Sequence, residues 1–374
     1  MKFGDVVEEL KEEVDRSNHS FEYYVAGEHM NSNDLHLVNY GVFGDDYVGP
    51  AFKRIFRKGH VLYGSRRTYL KKIAIAEFDG ITSNTTFVLK TKSEDNLLQR
   101  FLPFIMMSDK FTEHSIQESR GSVNPYIVFS DIAKYEFLLP PIDEQKRIAE
   151  VLWAADEDLM TKERLNSSIN TFYLAYLNEA LFSNSNNPIS FGEIADFNVE
   201  TISEKKIGAD TEIDYIDIST IIEPKIIGKP KKYKFKDAPS RARRMAYSGD
   251  ILISTVRPNL KAFAIIQDGN YVVSTGFAVA TVREKVWGAI LFHALFSDKF
   301  NTYCENNVMG TNYPAISVEA LKKFTLSIPY NLEPEHIEVK LKAIEKSMEI
   351  VRFNKIKSKC VLQNLINYYF GGTN

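Results

Sequence analysis

The sequence predicts an α/β (α+β) protein built twice: two tandem-duplicated mixed α/β domains, separated by a pair of long antiparallel coiled-coil helices and related by a pseudo-two-fold. Three observations carry this prediction. A register of residues recurs at a fixed offset, short apolar runs follow in the same order in both copies, and one long amphipathic run closes each copy.

The register is anchored by "SDKF", which stands at Ser108–Phe111 and again at Ser297–Phe300, an offset of 189 residues. At the same offset Gly121 and Pro125 of "RGSVNPYI" fall on Gly310 and Pro314 of "MGTNYPAI", and Lys134, Phe137 and Pro140 fall on Lys323, Leu326 and Pro329. Upstream the offset drifts by only a residue or so: "KGHVLYGSRRTYLKK" meets "SGDILISTVRPNLKA", which pairs Gly59 with Gly249, Arg67 with Arg257 and Leu70 with Leu260. The starts agree as well, "KFGDV" from Lys2 against "SFGEI" from Ser190. A single tetrapeptide recurs by chance; one register held across so many stretches is a duplication.

Within each copy the runs "HVLYGS", "KIAIAEF" and "TTFVLKT", then "DILISTV", "KAFAII" and "FAVATV", read as strands punctuated by Gly and Asp. A helical segment follows, "NLLQRFLPFIMMSDKFTEHSI" in one copy and "WGAILFHALFSDKFNTYCE" in the other, in which Phe111 and Phe300 pack inward. Gly121 and Gly310 are then expected in turns, where glycine reaches backbone conformations other residues resist. The last element is a rod. No Pro or Gly interrupts Asp143 to Phe182, and apolar residues recur at Ile148, Leu152, Ala155, Leu159, Ile169, Tyr173 and Tyr176. The second copy supplies Ile337, Leu341, Ile344, Met348, Val351, Leu362, Leu365 and Tyr369. This 4-3 spacing is a coiled-coil seam, and forty helical residues span about 60 Å. Both seams turn polar near the middle, at Lys162 and Asn166 and at Lys355 and Ser358. In an antiparallel pair these middles face one another and fix the register.

The 374 residues, 44% of them hydrophobic, are enough for two or three domains with cores of their own. The net charge of −3 by itself points to neither nucleic acid nor membrane. "MKFGDVVEELKEE" is acidic where a secretion signal is basic and then apolar, and no apolar run reaches membrane length. Cys304 and Cys360 lack metal-ligand spacing, so a reduced, cytoplasmic setting without membrane contact is expected.

Charge is nevertheless uneven along the chain. Lys53, Arg54, Arg57, Lys58, Arg66, Arg67, Lys71 and Lys72 follow one another with no acid between Lys53 and Lys72. From Lys225 to Lys261 a second basic run carries only Asp237 and Asp250 as acids, while acids gather in "EELKEEVD" and "DEQKRIAEVLWAADED". Charge runs are usually solvated faces, but two at matching places in two copies point to phosphate binding. The candidate DNA contacts are Arg66, Arg67 and Lys71 in the first copy and Arg241, Arg243, Arg244, Arg257 and Lys261 in the second. Arginine can also read guanine edges in the major groove. No catalytic set accompanies them. "NPY" at Asn124–Tyr126 lacks the second proline of the amino-methyltransferase tetrapeptide, "DEQK" opens a helix, and the 7 His are dispersed. There is no P-loop, nucleophile elbow or zinc pattern.

The segment "FLLPPIDEQKRIAEVLWAADE" resembles the join between a target-recognition domain and the central helix in specificity (S) subunits of type I restriction-modification systems. "APSRARRMAYSGDILISTVRPNLKAFAII" is similar to a common form of their second recognition domain, and "GTNYPAIS" to the turn before their second helix. The second helix departs from the pattern, since "IPYNLEPEHIEVKLKAIEK" lacks the proline pair and the Glu-Gln-Lys run. The resemblance implies target-recognition domain 1 at residues 1–141, spacer helix 1 at 142–185, target-recognition domain 2 at 186–330 and spacer helix 2 at 331–374. It implies a non-catalytic subunit that reads a bipartite target on double-stranded DNA. Two modification (methyltransferase) subunits would dock on helices whose seams include Ile148, Leu152, Leu159, Ile337, Leu341 and Met348. Those subunits would carry the S-adenosylmethionine, no cofactor residing on this chain, and restriction subunits could join. The competing reading is a duplicated scaffold without DNA specificity, which would not need matched basic runs.

Overall fold

The computed structural model describes residues 1–15, 20–44, 48–183, 188–223, 226–310 and 314–371. Lys225 of the second basic run, Thr311–Tyr313 of "GTNYPAIS" and the junction between residues 185 and 186 lie outside the described residues. The chain forms two compact units, Met1–Glu163 with Phe353–Asn374, and Arg164–Arg352.

The first unit holds strands β1 (Val7–Leu10), β2 (Tyr23–Val25), β3 (Gly41–Val42), β4 (Phe52–Phe56), β5 (Val61–Gly64), β6 (Ile73–Ile75), β7 (Gly80–Ser83) and β8 (Thr86–Thr91). They form two four-stranded sheets, ordered β1-β8-β5-β6 and β3-β2-β7-β4, and β2 runs parallel to β7 while the other pairs are antiparallel. The second unit repeats this with β9 (Ala195–Phe197), β10 (Glu212–Ile216), β11 (Lys231–Lys234), β12 (Ala242–Tyr247), β13 (Ile251–Ser254), β14 (Phe263–Ile265), β15 (Asn270–Ser274) and β16 (Phe277–Val282). Its sheets are ordered β9-β16-β13-β14 and β11-β10-β15-β12, again with one parallel pair, β10 with β15. Even an irregularity recurs: the register of β4 slips between Phe52 and Arg54, and that of β12 between Ala242 and Arg244. The duplication read from the sequence is therefore a duplication of topology.

Strand periodicity explains why β5 and β13 are buried on every residue. In β5, Val61 and Tyr63 enter the cluster that includes Phe3, Phe104 and Phe111, while Leu62 faces Val25, Phe56 and Val88. In β13, Ile251 and Ile253 join Phe191 and Phe300, and Leu252 meets Ile216, Ala246 and Val273. A strand between two layers has no polar face, so its sequence is a continuous apolar run.

The helical segment predicted after β8 breaks in two, α1 (Leu102–Met107) and α2 (Asp109–Gln117). Ser108 leaves helical geometry at ψ 151° and its Oγ accepts the Phe111 N–H at 3.2 Å. Past β16 the same break separates α4 (Val286–Ala294) from α5 (Asp298–Asn307), with Ser297 capping Phe300 at 3.1 Å. "SDKF" is thus a helix start: serine satisfies an orphan N–H, aspartate faces the positive end of the helix dipole, and phenylalanine is buried.

The two rods are single helices, α3 (Ile142–Leu181) of 40 residues and α6 (Pro334–Phe370) of 37. In the first unit the Ser358 hydroxyl donates to Asp158 at 2.6 Å and Lys355 pairs with Glu163 at 3.0 Å, so the chains run antiparallel there. In the second, Tyr173 and Leu177 share a core with Ile337 and Leu341, and the Lys340 ammonium lies 5.6 Å from the Tyr176 ring centroid. The predicted polar middle is present, but Lys355 and Ser358 meet carboxylates one turn before the expected Lys162 and Asn166; Lys162 itself binds Asp158 at 2.5 Å. Opposite charges offer a better partner than a second ammonium.

The "DEQK" motif is structural. Gln145 is buried at the start of α3, where its Oε1 accepts the Leu98 N–H at 3.0 Å and its Nε2 donates to the carbonyls of Asn96 (2.8 Å) and Pro140 (2.9 Å). At the duplicate position stands Pro334, which opens α6 without needing a hydrogen bond of its own.

Candidate nucleic-acid interface

Each unit presents the same unusual turn beyond its buried central strand. In the first, Ser65 donates its N–H to Thr85 O (2.9 Å) and accepts from Ile127 N (2.9 Å), and Arg67 N donates to Pro125 O at 2.7 Å. A 3₁₀ turn, Thr68–Leu70, then lies between two left-handed residues, Arg67 (φ 50°) and Lys71 (φ 46°). In the second, Thr255 N reaches Gly276 O (2.8 Å), Ile316 N reaches Thr255 O (2.9 Å) and Arg257 N reaches Pro314 O (2.8 Å). There Pro258–Leu260 is framed by Arg257 (φ 49°) and Lys261 (φ 52°). A side chain at positive φ crowds the following carbonyl, at about 1–3 kcal/mol for each such residue, and persists only where neighbouring contacts impose it.

Those contacts come from a hairpin. Arg120 and Tyr126 exchange both backbone hydrogen bonds, at 2.8 and 2.9 Å, around Gly121 at φ +85°. Met309 and Ala315 do the same at 2.9 and 3.0 Å, beside Gly310 at φ +91°. Both glycines predicted in turns therefore occupy backbone that only glycine enters freely.

The candidate cations are placed differently from one another. Arg66 and Arg67 are exposed; Arg66 lies 5.9 Å from the Tyr126 ring centroid, and Arg67 Nε donates to Asn124 Oδ1 at 3.2 Å. Lys71 is committed internally, its ammonium on Asp109, which also accepts from Asn367 Nδ2 at 2.5 Å. Arg241 and Arg257 are exposed, and the Arg241 carbonyl accepts from Thr275 at 2.9 Å, next to the Gly276 that anchors the turn. Arg243 is half-buried, 5.1 Å from the Phe235 centroid, and Lys261 is half-buried as well. Arg244 is half-buried with its guanidinium on the Phe277 carbonyl, and burial lowers its pKa from the ordinary arginine value. Sequence reasoning missed Asn124 and Tyr126, whose part is visible only once the hairpin is folded onto the turn.

The charge segregation read along the chain is not segregation in space for the strand portions. Acids of "EELKEEVD" face the bases on and just after β4: Arg54 pairs with Glu9 at 2.6 Å, Lys53 with Glu13 at 2.6 Å and Arg57 with Glu12 at 3.3 Å. In the other unit, Lys231, Lys232 and Lys234 of β11 lie 3.6–3.7 Å from Asp217, Asp214 and Asp210, on or beside the paired strand β10. Pairing antiparallel strands brings together residues distant in sequence, so a basic run can be neutralised by an acidic one.

Of the seam residues, Ile148, Leu152, Leu159, Ile337 and Leu341 are buried and Met348 is partly buried against the second core. A buried carboxylate on α3, Asp156, accepts from His36 Nε2 at 2.8 Å, with Glu77 3.5 Å from Nδ1. The hydrogen bond to Asp156 raises the His36 pKa to about 9. Buried Cys304 has its thiol pushed up to about 12 by desolvation, which leaves it a poor nucleophile. Among the described residues no cluster of three or more His, Cys, Asp or Glu could hold a metal ion, and no helix is long and apolar enough to cross a membrane.

These features define a class: a tandem-duplicated α/β protein with long spacer helices and an arginine-bearing turn in each copy. Residues 2–171 match the family model described as the type I restriction modification DNA specificity domain. That stretch, the first of the two copies and most of its long helix, carries the match to this specificity domain. It is 28% identical over 145 residues to the EcoDI specificity subunit of Escherichia coli, a match covering 39% of this chain and 31% of that protein. It is 20% identical over 328 residues to the MjaVIII specificity subunit of Methanocaldococcus jannaschii, covering 78% of this chain and 74% of that one. A chain from a solved structure concerned with complex assembly and conformational transition of the type I R-M system shares the fold over 98% of this chain and 96% of its own, with a TM-score of 0.60 and 18% identity.

Proposed function

We propose that this chain is the DNA-reading subunit of a type I restriction-modification complex. It recognises a bipartite, asymmetric target on double-stranded DNA, each α/β domain reading one half. The observation that carries this is the twice-built turn: the same strained, arginine-bearing loop on the same two-sheet scaffold, in a chain whose first copy matches a DNA specificity domain. Arginine suits the task because its fork pairs with guanine O6 and N7, and its charge releases counterions from phosphates.

The functional division is into recognition domains at 1–141 and 186–330 and spacer helices at 142–185 and 331–374. The chain itself contributes no catalytic step; modification subunits dock on the helices and carry S-adenosylmethionine, and a restriction subunit can join them, all in the cytoplasm. Helix α6 supports such docking. Besides its buried seam it exposes Val339 and Ile350 in one unit, and Phe353, Val361 and Tyr368 in the other, all on the helix face opposite the seam at about 100° per residue. Mapping DNA methylation in the host with and without this gene tests the reading. One bipartite methylated motif should vanish on deletion; an unchanged methylome would refute it.

A further inference from the structure

Six non-glycine residues have left-handed backbone among the described residues, and two of them, Asn33 and Asn198, are of the type that tolerates it. The other four are Arg67, Lys71, Arg257 and Lys261, at equivalent points of the two turns. Gly or Asn would relieve the strain there. Keeping long cations at these points in both copies implies that their side chains are used. Lys71 has an internal use, its bond to Asp109. Arg67 has no such use: its guanidinium is exposed and its Nε hydrogen bond goes to a neutral group. What holds it is a neutral acceptor, Asn124 Oδ1, on Nε. An arginine held at Nε by a neutral group keeps its full charge and both Nη groups, with their direction set.

We propose that Arg67 is a specificity-determining residue of the first half, pairing with one guanine. Asn124, presented by the Gly121–Pro125 hairpin, is the positioning residue for Arg67. This rests on the chain being a DNA-reading subunit and adds which base class the first half reads at one position, and with which atom group. The fork geometry separates it from phosphate binding: a lysine keeps the charge but loses the bidentate pairing.

The test uses the full chain, produced with its cognate modification subunits in a host whose methylated sites are then mapped. Arg67→Lys should relax one G·C position in one half of the motif, with discrimination there falling roughly ten- to hundredfold. The other half of the motif should be unchanged. Asn124→Leu, which removes the acceptor, should relax the same position as Arg67→Lys, and the double variant no further than Arg67→Lys alone. Asn124→Gln keeps a neutral acceptor and should keep the motif; its loss there, alongside loss in Asn124→Leu, would overturn the positioning role. A uniform fall across all sites with the motif unchanged would make Arg67 a phosphate contact and overturn the proposal, as would relaxation in both halves. If the unaltered chain directs no bipartite methylation, the broader reading fails instead, and the two failures are distinguishable.

Discussion

The long helices invite a direct test as a ruler between half-sites. The perturbation is a paired insertion, four residues after Asn166 in α3 and four between Arg352 and Phe353 in α6. Both helices must change together. In one unit Asp158 and Glu163 are registered on Ser358 and Lys355, and in the other Tyr173 and Leu177 on Ile337 and Leu341. The paired insertion leaves each set intact, whereas lengthening α3 alone forces one of them to slip by a turn. Four residues add about 6 Å and rotate the downstream part of the helix by roughly 40°. Along B-DNA that is close to two base pairs, which rotate by about 70°. Distance nearly matches, and the residual angle of roughly 30° is within what a flexible DNA target absorbs. Methylation mapping should therefore return the same two half-sites with a gap longer by one or two base pairs, and the single insertion should lower thermal stability. An unchanged gap would refute the ruler, and altered half-site bases would refute the division between reading domains and spacer.

Three further outcomes rest on particular contacts. Gln145→Leu removes the hydrogen bonds to Leu98, Asn96 and Pro140 and should cost about 1–3 kcal/mol for each buried group left without a partner, read by urea unfolding; a change below about 0.5 kcal/mol would refute the role. Because the His36 pKa is raised in the folded state, chiefly by its bond to Asp156, the stability it contributes is complete below its ordinary value and lost as pH rises through about 9. The difference in unfolding midpoint between the unaltered chain and Asp156→Asn should accordingly shrink from pH 6 to pH 10, and a constant difference would contradict the linkage. Arg244→Ala should lower melting temperature, since its guanidinium serves the Phe277 carbonyl, whereas Arg241→Ala should leave melting unchanged and weaken DNA binding with a shallower salt slope. The reverse pattern would exchange their roles.

Sequence alone was enough for the elements whose cause is local or periodic. The 189-residue offset, the continuous apolar runs of the central strands and the 4-3 seams are all one-dimensional signals, and each maps to a duplicated sheet order or a long helix. Gly121 and Gly310 were legible for the same reason, since a positive φ is written in one residue. Charge was not. Whether Arg54 or Lys232 is a free cation depends on which strand lies beside it; Glu9 comes from an acidic run that the linear reading had counted separately, and Asp214 from a stretch it had not counted as acidic at all. Nor could the sequence divide Arg243 and Arg244, packed on Phe235 and Phe277, from their neighbour Arg241. The strained turn was equally hidden, because a left-handed arginine has no sequence signature; Arg67 and Arg257 hold that conformation only because carbonyls 58 and 57 residues further on, at Pro125 and Pro314, accept their N–H groups. Local preference and periodicity are properties of the chain, while pairing, burial and imposed strain exist only after distant segments have met.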